Sequence, residues 1–172
     1  SLALPLYVTS VLPALALLML WRFLPRNEVC TLAPDAVAQP LRLADARLRR
    51  PLAVSLVAMG CVTIAQVAVG FFALDRLELG PAGAARISGI ALVAVGVALI
   101  LAQSVVPKLH WPPGRFIRIG AVVASLGFVT VVFAYSSWML CAGYFIAAAG
   151  LGWLFPAVSA LAANSVRGHE QG

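Results

Sequence analysis

At 172 residues, 62% hydrophobic and only 10% charged, the chain is too apolar to fold in water, where domains carry roughly 45–50% apolar and about 25% charged residues. A net charge of +6 would raise nucleic acid as a partner of a soluble protein, but the charges are confined to short stretches between apolar runs, which sets that partner aside and makes the bilayer the solvent. The expected fold is all-α: a polytopic transmembrane helical bundle of about five spans.

Residues 2–21 carry no charge, and Arg22 and Arg26 close the run. A helix of about 20 residues rises about 30 Å, one hydrocarbon thickness, so residues 1–24 are expected to form the first span, with bends at Pro5 and Pro13 that neighbouring helices tolerate. Residues 25–50 change character: Pro25, Pro34 and Pro40 break structure, and Arg42, Arg47, Arg49 and Arg50 supply charge. This stretch reads as a basic cytoplasmic linker. Its segment 41–48 (Leu-Arg-Leu-Ala-Asp-Ala-Arg-Leu) fits either an amphipathic helix on the membrane surface or an ordinary solvated linker.

The second span covers residues 51–74 and stops at Asp75 and Arg76; the third covers 87–106 and stops at Pro107 and Lys108. Residues 119–166 then hold no charged side chain. As one helix they would reach roughly 72 Å, more than twice the membrane. They must fold back, and residues 135–138 (Tyr-Ser-Ser-Trp) are the polar, aromatic point suited to an interfacial turn. Spans 119–135 and 138–166 follow, so residues 51–172 are expected to form four spans of one unit. The chain begins at Ser1 without an initiator Met and ends at Gly172, which reads as a piece of something longer.

Lysine and arginine placement sets the expected orientation. With strict alternation of spans, ten of the twelve basic residues fall on one side; Arg76 and Arg86 fall on the other, beside Asp75 and Glu78. The richer side is taken as cytoplasmic, placing residue 1 outside and residue 172 inside.

No Asp, Glu, Lys, Arg or His lies within the apolar run of any span, Arg22 standing just past the first run, so no intramembrane proton carrier is offered here. There is no nucleophile–base pair and no phosphate-cradling loop. Cys30, Cys61 and Cys141 lack metal-type spacing. An enzyme, a metal site and a cofactor are therefore not expected, and there is no catalytic residue to name.

Three features remain. In the second span Ser55, Met59, Thr63, Gln66 and Gly70 are spaced four, four, three and four apart, one helical face. That face suits either a substrate cavity, with Gln66 as a hydrogen-bonding contact, or glue between helices. In the third span Gly89, Gly96 and Gln103 recur every seven residues, and the glycines read as a close-packing face. In the fifth span Gly150, Gly152 and Pro156 predict a kink, because the proline ring displaces the bond to the Gly152 carbonyl. The kink reads as a transport hinge, since two glycines and a proline weaken the helix more than packing requires; a static kink in a packed bundle is the alternative. Tyr144 and Trp153 are candidates to line the same cavity as Gln66, or to serve packing.

The ordered patterns along the chain resemble the major facilitator superfamily of transporters, most closely the bacterial drug:proton antiporters. Residues 70–77 (Gly-Phe-Phe-Ala-Leu-Asp-Arg-Leu) followed by Gly80 and Pro81 are similar to the exit of the seventh helix of such a transporter. Residues 103–109 (Gln-Ser-Val-Val-Pro-Lys-Leu) and 114–120 (Gly-Arg-Phe-Ile-Arg-Ile-Gly) are similar to the loop between the eighth and ninth, the kink at Pro156 to the tenth, and Glu170, Gln171 and Gly172 to the loop that follows.

The resemblance implies that the chain spans the sixth to tenth of twelve helices, with 25–50 joining the two halves and the remaining helices of the full-length transporter as partners. It implies a secondary active transporter in the bacterial inner membrane, exporting small amphipathic molecules in exchange for protons. A dedicated metabolite or organic-solute transporter of the same fold, and a non-transporting membrane scaffold, are the alternatives. The seventh and tenth helices would face the central cavity. The superfamily's loop signature is degraded: Gly114 and Arg115 match its end, but Pro107 and Trp111 stand where its first Gly and its Asp belong. The gating role of that Asp does not carry over. Lys108, Gly114, Arg115 and Arg118 remain as the loop's candidate residues, the arginines as anchors to lipid phosphate or to a neighbouring helix end.

Overall fold

The computed structural model describes Met19 and Arg22, both helical and exposed, and the continuous stretch 46–164. Met19 and Arg22 fall in a separate unit, Ser1–Val37, so the first predicted span and most of the linker lie outside the described residues. The second unit contains four helices: α1 (Ala46–Asp75), α2 (Pro81–Leu109), α3 (Pro113–Val132) and α4 (Ser137–Asn164). All four contain a stretch long and apolar enough to cross a membrane, and no strand occurs among the described residues. The unit is a bundle of transmembrane helices in which each apolar backbone satisfies its own hydrogen bonds.

Local chemistry places the helix ends beyond the apolar runs. Pro81 and Pro113 sit in the first turns of α2 and α3 after extended caps at Gly80 and Pro112, where a missing N–H costs nothing and a fixed φ favours the helix. Both helices therefore begin about six residues before the uncharged stretches do, and Arg86, Arg115 and Arg118 ride on helix rather than in loops. Similarly, residues 46–50 of the expected linker are the first turn of α1. The charge pattern marks the edge of the hydrocarbon; the prolines mark the edge of the helix.

Between α3 and α4 the chain reverses at 133–136. Ser136 caps α4, its Oγ accepting from the Met139 N–H at 3.3 Å and satisfying a donor the helix leaves open. His110, closing α2, and Glu78, between α1 and α2, adopt left-handed backbone with φ of 45° and 51°.

The centre of the bundle is α4, which packs on all three other helices and most extensively on α3. Of its membrane stretch 44% is buried, against 11% for α1. The α3–α4 seam is built from small residues. A Cβ on Gly120 would lie 2.6 Å from the Gly150 carbonyl oxygen, and one on Gly127 would strike the Ala147 backbone. From the other side, a Cβ on Gly150 would strike Ala124 and one on Gly143 would lie 2.7 Å from a Val131 methyl. Without the backbones' close approach these helices would lose the dispersion contact that holds membrane helices together.

α2 buries Ala84, Ala91, Ala98 and Ala102, and Ala102 stands against Gly152 of α4. The glycine face expected at Gly89 and Gly96 is not the packed one: neither would bring a Cβ within 4 Å of anything. Two buried clusters fill the bundle. One joins Ala58 to Ala124, Leu151, Leu154 and Val158; the other joins Val69 to Ala91, Ala134, Leu140 and Tyr144.

Candidate functional site

The polar stripe of α1 is largely left open by its neighbours. Met59, Thr63 and Gln66 are exposed, while Ala58, Val69 and Ala73 on the adjoining face are buried. Thr63 donates its hydroxyl proton to the Met59 carbonyl of its own helix at 3.0 Å, a common way for threonine to satisfy itself inside a helix. The Gln66 amide has no hydrogen-bond partner among the described residues.

Two depressions flank this stripe. On one side Thr63, Ile64, Val67, Phe71 and Leu74 of α1, with Val132 of α3, line an open groove of about 1250 Å³. Its charged residues, Asp75 and Arg76, stand at the end of the helix; the rest is apolar but for the threonine. On the other side Gln66 borders a crevice of about 40 Å³ with Val62, Ala65, Leu92, Val95 and Tyr144. Thr63 and Gln66 therefore share a face but border different spaces. Gln66 and Tyr144 come together; Met59 lies further along the exposed face.

The two aromatic candidates on α4 both serve as ties between helices. The Tyr144 hydroxyl donates to the Ala65 carbonyl of α1 at 2.7 Å, and the Trp153 indole N–H donates to the Ala102 carbonyl of α2 at 3.0 Å. Trp153 is thereby turned toward α2. In an apolar medium a free hydroxyl or indole N–H is costly, so each ring docks where a carbonyl is within reach.

The glycines of the expected kink stand at contacts between helices. α4 runs as one helix through Pro156, and both glycines sit at contacts. Gly150 meets α3 as described, and a Cβ on Gly152 would lie 2.8 Å from that of Ala102 on α2. Packing therefore gives both glycines a reason of their own. What remains of the hinge is Pro156, whose ring still deprives the Gly152 carbonyl of its partner.

In the α2–α3 connection, the Arg115 guanidinium lies 4.4 Å from the centre of the Trp111 ring, a cation–π distance. Trp111 also packs against the buried Phe116 with centroids 5.5 Å apart. The tryptophan that replaces the signature's acid thus holds the loop arginine by its ring face. Lys108, Gly114 and Arg118 are exposed. Sequence reasoning missed this pair and the α3–α4 seam, although Trp111 and Arg115 four apart, and Gly120 with Gly127 and Gly143 with Gly150 seven apart, were signals for both. Among the described residues no group of three or more His, Cys, Asp or Glu is arranged to hold a metal.

No curated protein and no solved structure matches the chain. The profile of one family, the Major Facilitator Superfamily, matches residues 2–172, nearly the whole sequence, and the exposed polar face and small-residue seams of a multi-helix membrane bundle sit within that match. The chain is a member of the major facilitator superfamily, the integral membrane transporters that carry small molecules across the bilayer.

Proposed function

We propose that this chain belongs to a secondary active transporter that exports small amphipathic molecules in exchange for protons, by alternating access around a site at mid-membrane. The observation that carries the reading is the α1 groove: apolar along Ile64, Val67 and Phe71, with one hydroxyl at Thr63 and charge confined to its end at Asp75 and Arg76. Such a surface suits cargo that is mostly hydrophobic with a polar tip. The unpartnered Gln66 amide supplies a second polar contact beside Tyr144. In this reading α1 to α4 are the seventh to tenth helices, 25–50 joins the two halves, the proton-coupling acid lies elsewhere in the transporter, and the α2–α3 connection faces the cytoplasm of a bacterium.

The test is proton-gradient-dependent efflux of a fluorescent cationic dye from cells expressing the full-length protein, with Gln66→Ala and Thr63→Ala at equal expression. Efflux that collapses with the gradient and falls several-fold in either variant is expected. Efflux that ignores the gradient removes the proton. No efflux of any dye from well-expressed protein removes broad export and leaves a dedicated metabolite carrier of the same fold.

A further inference from the structure

At the end of the bundle where α2 and α4 both begin, a groove of about 360 Å³ runs between them, lined by Leu79, Gly83, Arg86, Ile87, Ile90, Ser137, Trp138 and Cys141. Three of its properties point to one kind of occupant. Its floor, Leu79, Ile87 and Ile90, is aliphatic. Its wall at the start of α4 is Trp138, 87% exposed, an amphipathic ring of the kind that settles at the membrane–water boundary. Its one charge is Arg86, exposed and without an ion pair among the described residues; the nearby acids Asp75 and Glu78 do not line it.

Depth in the bilayer supports the same reading. The uncharged stretch of α2 starts at Ile87 and runs to Val106, about 30 Å of helix, which fills the hydrocarbon layer. Arg86 therefore stands at the level of lipid phosphates, with Ile87 next to it at the edge of the hydrocarbon and Ile90 a turn below at the level of acyl chains. Trp138, in the first turn of α4, marks the same boundary on the facing helix.

We infer that this groove is a binding site for an anionic phospholipid, with the phosphate on the Arg86 guanidinium and an acyl chain laid along Ile87 and Ile90 against Trp138. The guanidinium offers a planar fork to phosphate oxygens. A zwitterionic headgroup brings its own cation to that place and gains less. The site depends on the bundle alone and stands whether or not the proposed transport activity does.

The experiment is native mass spectrometry of the full-length protein in detergent with equal amounts of phosphatidylglycerol and phosphatidylcholine. The expected result is retention of phosphatidylglycerol by roughly tenfold over phosphatidylcholine, the scale of one charge-assisted hydrogen bond in a partly wet site. Arg86→Gln abolishes the preference, and Arg118→Gln, a cation at the opposite ends of these helices, keeps it. Ile90→Trp, which leaves Arg86 in place but fills the groove, lowers retention of phosphatidylglycerol and serves should Arg86→Gln not fold. Equal retention of the two lipids, a preference that survives Arg86→Gln, full retention in Ile90→Trp, or a lipid-free dimer would each overturn the assignment.

Discussion

Tyr144 and Trp153 each carry one polar atom on an aromatic ring of α4, and each gives it to a carbonyl on a different neighbour. Hydrogen bonds between membrane helices are worth about 0.6 kcal/mol on average and at most about 1.7. Tyr144→Phe should therefore lower the unfolding free energy by about 0.6–1.7 kcal/mol in a denaturing-detergent titration, since only the bond to the Ala65 carbonyl is removed. Gln66→Ala should stay within about 0.5 kcal/mol in the same titration, because its amide has no partner among the described helices. The pair separates structural from functional polar groups: a large loss at Gln66 would make it helix glue after all. The back-bonded hydroxyls of Thr63, Ser88, Thr130 and Ser159 explain why a polar stripe in a sequence does not by itself reveal a contact. Each is satisfied by its own helix and leaves no mark on the neighbour.

Among the elements, the α3–α4 pair is set apart by how little side chain separates its backbones. Gly127→Ala would drive a methyl group into the Ala147 backbone and should cost about 1–3 kcal/mol as an overpacked site. Gly96→Ala on α2 meets nothing within 4 Å and should be neutral or gain about 0.5–1 kcal/mol from helix propensity. Thermal unfolding of the two variants side by side checks both, and similar losses would place Gly96 in a contact of its own. These glycines also show where sequence reading reached its limit. Seven-residue spacing occurs at Gly89 and Gly96, at Gly120 and Gly127, and at Gly143 and Gly150. Only the second and third sets face each other, because the short reversal at 133–136 aligns them, whereas α2 turns its alanines inward. Apolar length was legible from the residues alone; which stripe of small residues finds a partner depends on how the helices are rotated against one another.

In the four-helix unit taken whole, both ends carry charge but with opposite character. Among the described residues, the α2–α3 connection has Lys108, Arg115 and Arg118 without an acid; the other end mixes Asp75, Arg76, Glu78 and Arg86. Positive charge resists translocation, so the proposed orientation has a direct check. In a background where the native cysteines are replaced by serine, Ser136→Cys should react with a membrane-impermeant maleimide in intact cells, and His110→Cys only after permeabilisation. The reverse pattern would invert the orientation. Membership of the bundle class and of the family was legible because composition and the order of loop patterns survive any detail of packing. The loop signature shows the opposite case: with Trp111 in place of its acid, the loop arginine Arg115 rests on an aromatic ring, a contact the motif does not contain.

The uneven grip of the bundle has a mechanical consequence. α1 is held to its neighbours by a few side chains and one tyrosine, whereas α3 and α4 interlock along their backbones through a reversal of a few residues. Drawn out of the membrane from the α1 end by a force probe, the unit should yield α1 in an early, weak event. α3 and α4 should then leave together in a single stronger one, as a hinged pair that ruptures only when its glycine seam is sheared.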